Sequence, residues 1–251
     1  MGTIFALKTW CDNHSQTKGW DGWMKRIGVD VGGTFTDLIL INEETGNVFI
    51  NKVPSTPADP SQAILTGVKQ ICEQAGIRPE EISRFYHGTT VATNIVLEHK
   101  GSKVGMITTE GFRDILHIAR KKRPYNFSLY LDVPWQSRPL IKRRYRLTVA
   151  ERIDALGRVL IPLDEQGVRR SARKLKNSGV EAVVIAFLNS FINPAHEDRA
   201  KEIVLEEFPE AYVCTSSEIL SQYREYERFN TAAVNAYVGP KVSRYIYSLK
   251  T

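Results

Sequence analysis

Apolar and polar residues alternate in three short bursts early in the chain. Further on they come in solid blocks separated by amphipathic stretches. Ile27, Val29 and Val31 take every second position, the period of a strand with one buried face. "TDLILIN" (36–42), the turn "EETG" (43–46) and "NVFINKV" (47–53) continue the series and predict a three-stranded antiparallel meander. After the loop "PSTPADP" (54–60) a helix is expected: Asp59 as cap, Pro60 at the first position and Gln62 completing a capping box. Ala63, Ile64, Val68, Ile71, Cys72 and Ala75 share its apolar face, and Gly76 stops it.

"SRFYHG" (83–88) reads as a strand, "TTVATNIVLEHKG" (89–101) as a helix ending at Gly101, and "KVGMIT" (103–108) as a buried strand. Residues 120–146 lose periodicity and are rich in Arg, Pro, Tyr and Trp, which predicts a long surface excursion. "RLTVAERIDALGRVLIPLD" (146–164) predicts an antiparallel hairpin turning at "ALG". A helix marked by Val168, Ala172 and Leu175, the apolar strand "EAVVIAFL" (181–188), a helix capped by Asn193 with Pro194 first, and the strand "AYVCTS" (211–216) follow. That alternation implies parallel strands with crossover helices. The last pattern, "REYERFNTAAVNAYVG", predicts a helix that stops at Gly239 and Pro240, with a second one starting there. The class expected is mixed α/β.

Composition adds limits. The 251 residues are 42% hydrophobic and 25% charged, as in ordinary globular proteins. A net charge of +6 fits either a solvated surface or anionic ligands such as nucleotides. Cys11, Cys72 and Cys214 are far apart and odd in number, with no CxxC pair, so neither a disulfide framework nor a zinc site is indicated, and a reducing cytoplasm fits. No apolar run reaches the ~20 residues of a membrane span. The first 23 residues lack the features of a signal peptide. Met24 opens directly onto the first strand and reads as the natural start, with residues 1–25 a poorly ordered leader.

The candidate chemistry sits in "DVGGTFTD" (30–37). Gly32 and Gly33 leave successive backbone N–H groups unobstructed, an anion-binding nest to which threonine hydroxyls add donors. Asp30 repels phosphate but can hold, through water, a magnesium ion that neutralises it. Neither a P-loop nor a dinucleotide fingerprint is present, because no GK[ST] follows and the next residues are strand-like. The alternative is a plain hairpin turn.

These residues resemble the first phosphate loop of the actin, sugar kinase and heat-shock ATPase superfamily. More narrowly, the chain resembles the hydantoinase A / 5-oxoprolinase / acetone carboxylase family. "HGTTVATN" (87–94), "ITTEGFRDIL" (107–116), "ERIDALGRVLIPLD" (151–164) and "REYERFNTAAVNAYVGP" (224–240) agree with it in order and spacing. The resemblance implies a ribonuclease-H-like, actin-like ATPase lobe with an inserted antiparallel and loop-rich excursion. It implies one domain over 26–215 and a truncated second domain over 216–251, the second phosphate loop lying beyond. It also implies ATP and Mg2+ as cofactors, with Asp30 organising the metal and Gly32, Gly33, Thr34 and Thr36 gripping phosphates. Asp37 belongs to the same motif, and His87, Gly88, Thr89 and Thr90 would line the cleft beside it.

Several alternatives stay open. His87 is either a proton-transfer group or a structural histidine closing the strand–helix turn. Thr89 and Thr90 either face the cleft or cap the helix, and Asn94 faces either cleft or solvent. Arg224, Glu225, Glu227 and Arg228 form either a surface ion-pair network or a cleft-facing cluster. The basic groups "RKKR" (120–123) and "KRRYR" (142–146), interleaved with Tyr125, Tyr130, Trp135 and Tyr145, accompany no nucleic-acid module. They read as a surface for a partner subunit.

Three functions follow from the resemblance. The first is the N-terminal part of an ATP-dependent cyclic-amide hydrolase that phosphorylates a lactam or imide carbonyl before ring opening, working with a B-type partner subunit. The second is the ATP-handling subunit of an acetone- or acetophenone-type carboxylase. The third is a truncated, silent fragment that only folds or docks. No nucleic acid and no membrane is expected as a partner.

Overall fold

A computed structural model describes residues 24–56, 60–121 and 133–250. The expected leader up to Trp23, Cys11, the Asp59 cap, Lys122 and Arg123 of the first basic group, Tyr125 and Tyr130 lie outside the described residues. Compactness divides the chain into two units. One takes the described residues up to His99 together with those from Lys241, and the other runs from Lys100 to Pro240.

In the first unit the meander forms as the alternation predicts: β1 Lys25–Val31, β2 Phe35–Asn42 and β3 Asn47–Pro54. Helix α1 follows at Pro60–Ala75, then β4 Arg84–Thr89 and the short helix α2 Val91–Leu97. The sheet order is β3-β2-β1-β4, with β1–β2 and β2–β3 antiparallel and β4 parallel to β1. This is the strand order of the expected ribonuclease-H-like lobe. One face buries Ile27, Val29, Val31, Leu38, Leu40 and Val53 against Ala63, Ile64, Val68, Ile71 and Cys72 of α1. Gly67 lets the helix come this near, because a Cβ there would collide with the Leu38 side chain. The opposite face leaves Ile39, Ile41, Val48, Ile50 and Tyr86 exposed.

Helix α2 is shorter than the pattern 89–101 suggests. Thr89 is still strand, and His99 at φ 54 turns left-handed just past the helix end.

The second unit is built on a parallel sheet, order β10-β9-β5-β6: β5 Val104–Thr109, β6 Arg146–Val149, β9 Ala182–Ala186 and β10 Tyr212–Thr215. Strand β9, "AVVIA", is buried at every position, as a strand covered on both faces must be. Helices α3 Glu165–Asn177 and α4 Ala195–Glu207 make the crossovers. Asn193 accepts from Ala195 N at 3.1 Å, so it does serve the start of α4, with Pro194 already helical in backbone.

Three expectations are corrected here. "RLTV" does not enter the hairpin: β6 pairs parallel with β5, and the hairpin is the smaller β7 Arg152–Ile153 with β8 Val159–Ile161. Its turn is held by Asp154, whose carboxylate accepts from Leu156 N and Arg158 N at 2.8 Å each. The second basic group is not a surface excursion throughout. Tyr145 and Arg146 are buried, and Arg146 Nε donates to Ile141 O at 3.0 Å. Gly239–Pro240 does not end a helix either: α5 runs unbroken from Glu225 to Lys250. Proline gives up one backbone bond but keeps a helical φ, and Phe229, Ala232, Ala233, Ala236 and Tyr237 bury the preceding turns.

Among the described residues no helix is long and apolar enough to cross a membrane.

Candidate phosphate-binding site

The β1–β2 connection is a tight turn in which Gly32 N donates to Phe35 O at 3.0 Å. A Cβ at Gly32 would lie 2.9 Å from that same carbonyl, and one at Gly33 would lie 2.9 Å from Asn94 Nδ2. Gly32 therefore requires glycine, whereas a side chain at Gly33 would push the Asn94 amide aside. Gly33 and Thr34 are exposed at the tip, where their N–H groups can meet an anion. Thr36 has a different place. It is fully buried, and its hydroxyl lies 3.0 Å from Ser55 Oγ. Ser55 donates to Gly32 O at 2.8 Å, and its backbone N donates to Thr34 O at 2.9 Å. Thr36 thus braces the turn from below.

Strand β4 runs beside β1, so the β4–α2 junction arrives at the same edge. Thr90 N donates to Val31 O at 3.2 Å and Thr89 Oγ1 to the same carbonyl at 3.2 Å. Thr89 Oγ1 also accepts from Val91 N at 3.1 Å, so it satisfies the first N–H of α2 although Thr90 holds the cap position. Asn94 Nδ2 donates to Thr90 Oγ1 at 3.3 Å while packing on Gly33. Asn94 therefore stands at the loop, and sequence spacing alone does not show it. The only hint is its position four residues after Thr90, one helical turn in.

Register fixes the acids. Asp30 pairs with Asp37 across β1–β2 and with Gly88 across β1–β4. Partners in register share a face, and a Cβ at Gly88 would lie 3.5 Å from Asp30 Oδ1. Asp37 is engaged by Lys52 at 2.8 Å, whereas Asp30 has no ion-pair partner among the described residues. His87 pairs with Val29, which puts it on the other face. There its ring stacks on Phe85, with centroids 6.4 Å apart, and its Nε2 lies 2.6 Å from Tyr245 Oη. Burial of that edge pushes the His87 pKa below the usual imidazole range, and the charge of Asp30 opposes the shift. Asp30, Gly32, Gly33, Thr34, Gly88, Thr90 and Asn94 are thus gathered at one edge, with Thr36 beneath them and the His87 imidazole on the opposite face.

Among the described residues no group of three or more His, Cys, Asp or Glu forms a metal cage. A single free carboxylate beside an anion nest suits magnesium, which keeps waters and completes its sphere with phosphate oxygens.

In the second unit the "REYER" segment is a surface network only in part: Glu225 pairs with Arg228 at 3.8 Å, as the i,i+3 spacing suggests. Arg224 precedes α5 with φ 76, so it shares no helix face with Arg228. Arg228 is fully buried and donates to Phe187 O at 3.0 Å, Gln222 O at 2.9 Å and Ser216 Oγ at 3.1 Å. Glu227 pairs with Arg120 at 2.5 Å.

A family model described as the hydantoinase/oxoprolinase N-terminal region matches residues 26–208. The alpha subunit of caprolactamase from Pseudomonas jessenii is 39% identical over 225 residues, covering 88% of this chain and 32% of that protein. The crystal structure of the ATP-dependent caprolactamase from that organism overlays with a TM-score of 0.77 at 36% identity, over 90% of this chain and 34% of that one. The gamma subunit of acetophenone carboxylase from Aromatoleum aromaticum is 39% identical over 226 residues, covering 84% of this chain and 31% of that protein. The nucleotide-free structure of acetone carboxylase overlays with a TM-score of 0.80 at 26% identity, over 91% of this chain and 34% of that one. The chain spans about a third of the length of these relatives.

Proposed function

The chain belongs to the hydantoinase/oxoprolinase family, and from that membership we propose that it supplies the first phosphate loop of an ATP-dependent enzyme acting on cyclic amides. The observation that carries this reading is the turn at Gly32–Gly33, with exposed backbone donors at Gly33 and Thr34 beside Asn94 and with the Asp30 carboxylate next to it. Gly33, Thr34, Thr90 and Asn94 hold phosphate oxygens. Asp30 would hold magnesium, which would supply neutralising charge to the transferring phosphoryl group. In the reaction the amide oxygen attacks the γ-phosphorus and ADP leaves. Water would then add to the activated carbon, the C–N bond would open as the nitrogen takes a proton, and a second water would release phosphate from the resulting acyl phosphate to leave the amino acid. Phosphorylation turns a poor leaving oxygen into a good one. A second subunit is the expected partner, since the caprolactamase relative is itself a subunit.

A second reading, ATP handling for a ketone carboxylase, has equal support in identity from the acetophenone carboxylase subunit. The two share the phosphate loop and differ in what receives the phosphoryl group.

Calorimetric titration of Mg-ATP into the 251-residue chain tests the loop. Binding in the wild type that is lost in Asp30→Ala and Gly33→Val is the expected result. A folded wild type that binds no Mg-ATP at millimolar concentration, or a Gly33→Val chain that binds it as well as wild type, overturns the assignment.

A further inference from the structure

The turn at Gly32–Gly33 is fixed through two successive carbonyls. Gly32 O is held from the β3 side by Ser55 Oγ at 2.8 Å. Val31 O, the last carbonyl of β1, is held from the β4 side, by Thr90 N and Thr89 Oγ1 at 3.2 Å each. The second clamp therefore depends on where the end of β4 sits. Among the described residues β4 is an edge strand, bonded to β1 alone, so no ladder restrains its outer side.

The late turns of α5 supply what the ladder does not. Register pairs His87 with Val29 and Thr89 with Val31, so both side chains leave β4 on one face, two residues apart. The buried Tyr245 ring meets that face. Its Oη lies 2.6 Å from His87 Nε2, and the two rings are 5.6 Å apart, tilted by 50°. Thr89 is its other hydrogen-bonding neighbour, and that contact opposes the rise which burial imposes on the phenol. Thr89 Oγ1 also donates to Val31 O and accepts from Val91 N. The side chain that Tyr245 meets is thus the one that clamps the carbonyl just before Gly32.

We propose that Tyr245 is a positioning residue of the phosphate loop. It holds the end of β4 so that Thr89 and Thr90 hold Val31 O, and through that carbonyl it sets the Gly32–Gly33 turn for nucleotide phosphate. The nucleotide part rests on the functional reading above, and the positioning of the turn does not. Coupling between two sites is reciprocal, so nucleotide at the turn acts back on Tyr245, and the end of α5 senses whether the loop is occupied.

Amide hydrogen exchange on the 251-residue chain tests the positioning without nucleotide. In Tyr245→Phe, protection of the Gly32 and Thr90 amides should fall about three- to tenfold relative to the β1–β2 ladder, the scale of one hydrogen bond. Ile71→Val, in the core that α1 forms with the same sheet, is the control and should lower protection evenly. Protection at Gly32 and Thr90 that is unchanged in Tyr245→Phe, or that falls only in step with the ladder, overturns the proposal. Mg-ATP titration is the second arm. Nucleotide should shift the NMR signals of the Tyr245 and His87 rings in the wild type. Tyr245→Phe should weaken its binding about three- to tenfold, and Ile71→Val should not. Equal affinity in wild type and Tyr245→Phe overturns the proposal. A wild type that binds no Mg-ATP, with Gly32 and Thr90 still losing protection in Tyr245→Phe, refutes the nucleotide reading and leaves the positioning of the turn standing.

Discussion

Tyr245 Oη and His87 Nε2 are 2.6 Å apart although 158 residues separate them in sequence. Burial raises the Tyr245 pKa to about 12 and lowers that of His87. At neutral pH the phenol therefore keeps its proton and the imidazole is neutral, and the imidazole tautomer sets which of the two donates across the contact. This ties the late turns of α5 to strand β4 inside one unit. It also occupies the ring nitrogen that a proton-transfer role would need.

The pH dependence has a definite sign. The folded-state pKa of His87 is depressed, so below about 6.5 the unfolded chain binds more protons than the folded one. Its contribution is complete above that pH and is lost as pH falls from there through the folded value. An NMR titration of His87 should give a midpoint below the usual imidazole range. In Tyr245→Phe, which keeps the burial that lowers the imidazole, the midpoint should stay below the usual range.

Arg228 should be among the least replaceable residues of its unit. Its guanidinium satisfies two backbone carbonyls and a serine hydroxyl with no exposure to water. Removing one partner from a buried charged network costs roughly 3–5 kcal/mol. Arg228→Ala should lower the unfolding midpoint strongly in urea. Arg224→Ala, at an exposed position, should change it by less than about 0.5 kcal/mol.

These two arginines also show what the sequence conveys and what it hides. Ile27, Val29 and Val31 alternate because only one sheet face is buried, and "AVVIA" is unbroken because both are, so these strands were legible. Asp30, Gly32 and Gly33 were legible as a loop because the chemistry lies in consecutive residues. Asn94 was not, because it reaches Gly33 only through the pairing of β4 with β1. Arg228 looks like a surface charge in "REYER", since its partners come from residues 187, 216 and 222. Gly239–Pro240 carries a local stop signal that the packing of α5 overrides.

Acid should weaken the fold through paired carboxylates. Glu207 has its pKa lowered to about 2, chiefly by hydrogen bonds from Arg173 and then Arg169, and Glu81 has its pKa lowered to about 2 by Lys25 and the Arg78 backbone. Depressed folded values mean stability that is present above about 4.5 and lost as pH falls towards 2. Urea denaturation at stepped pH should show that slope. Glu207→Gln should flatten it in part, because Arg173 and Arg169 then face a neutral amide.

The brace beneath the phosphate loop gives the sharpest test of its architecture. Ser55 has one hydroxyl proton, and Gly32 O receives it at 2.8 Å. Thr36 must therefore donate to Ser55 Oγ across their 3.0 Å separation. Ser55→Ala strands the buried Thr36 hydroxyl and should cost about 1–3 kcal/mol. Thr36→Val removes that hydroxyl at nearly constant shape, so adding it to Ser55→Ala should recover part of the loss. A double-mutant cycle should read a coupling of about 0.5–1.5 kcal/mol. In the same variants Mg-ATP affinity should fall with Ser55→Ala, because the Gly32 carbonyl loses the contact that sets the turn. Additive stabilities with unchanged nucleotide binding would mean that the turn holds its shape without the brace.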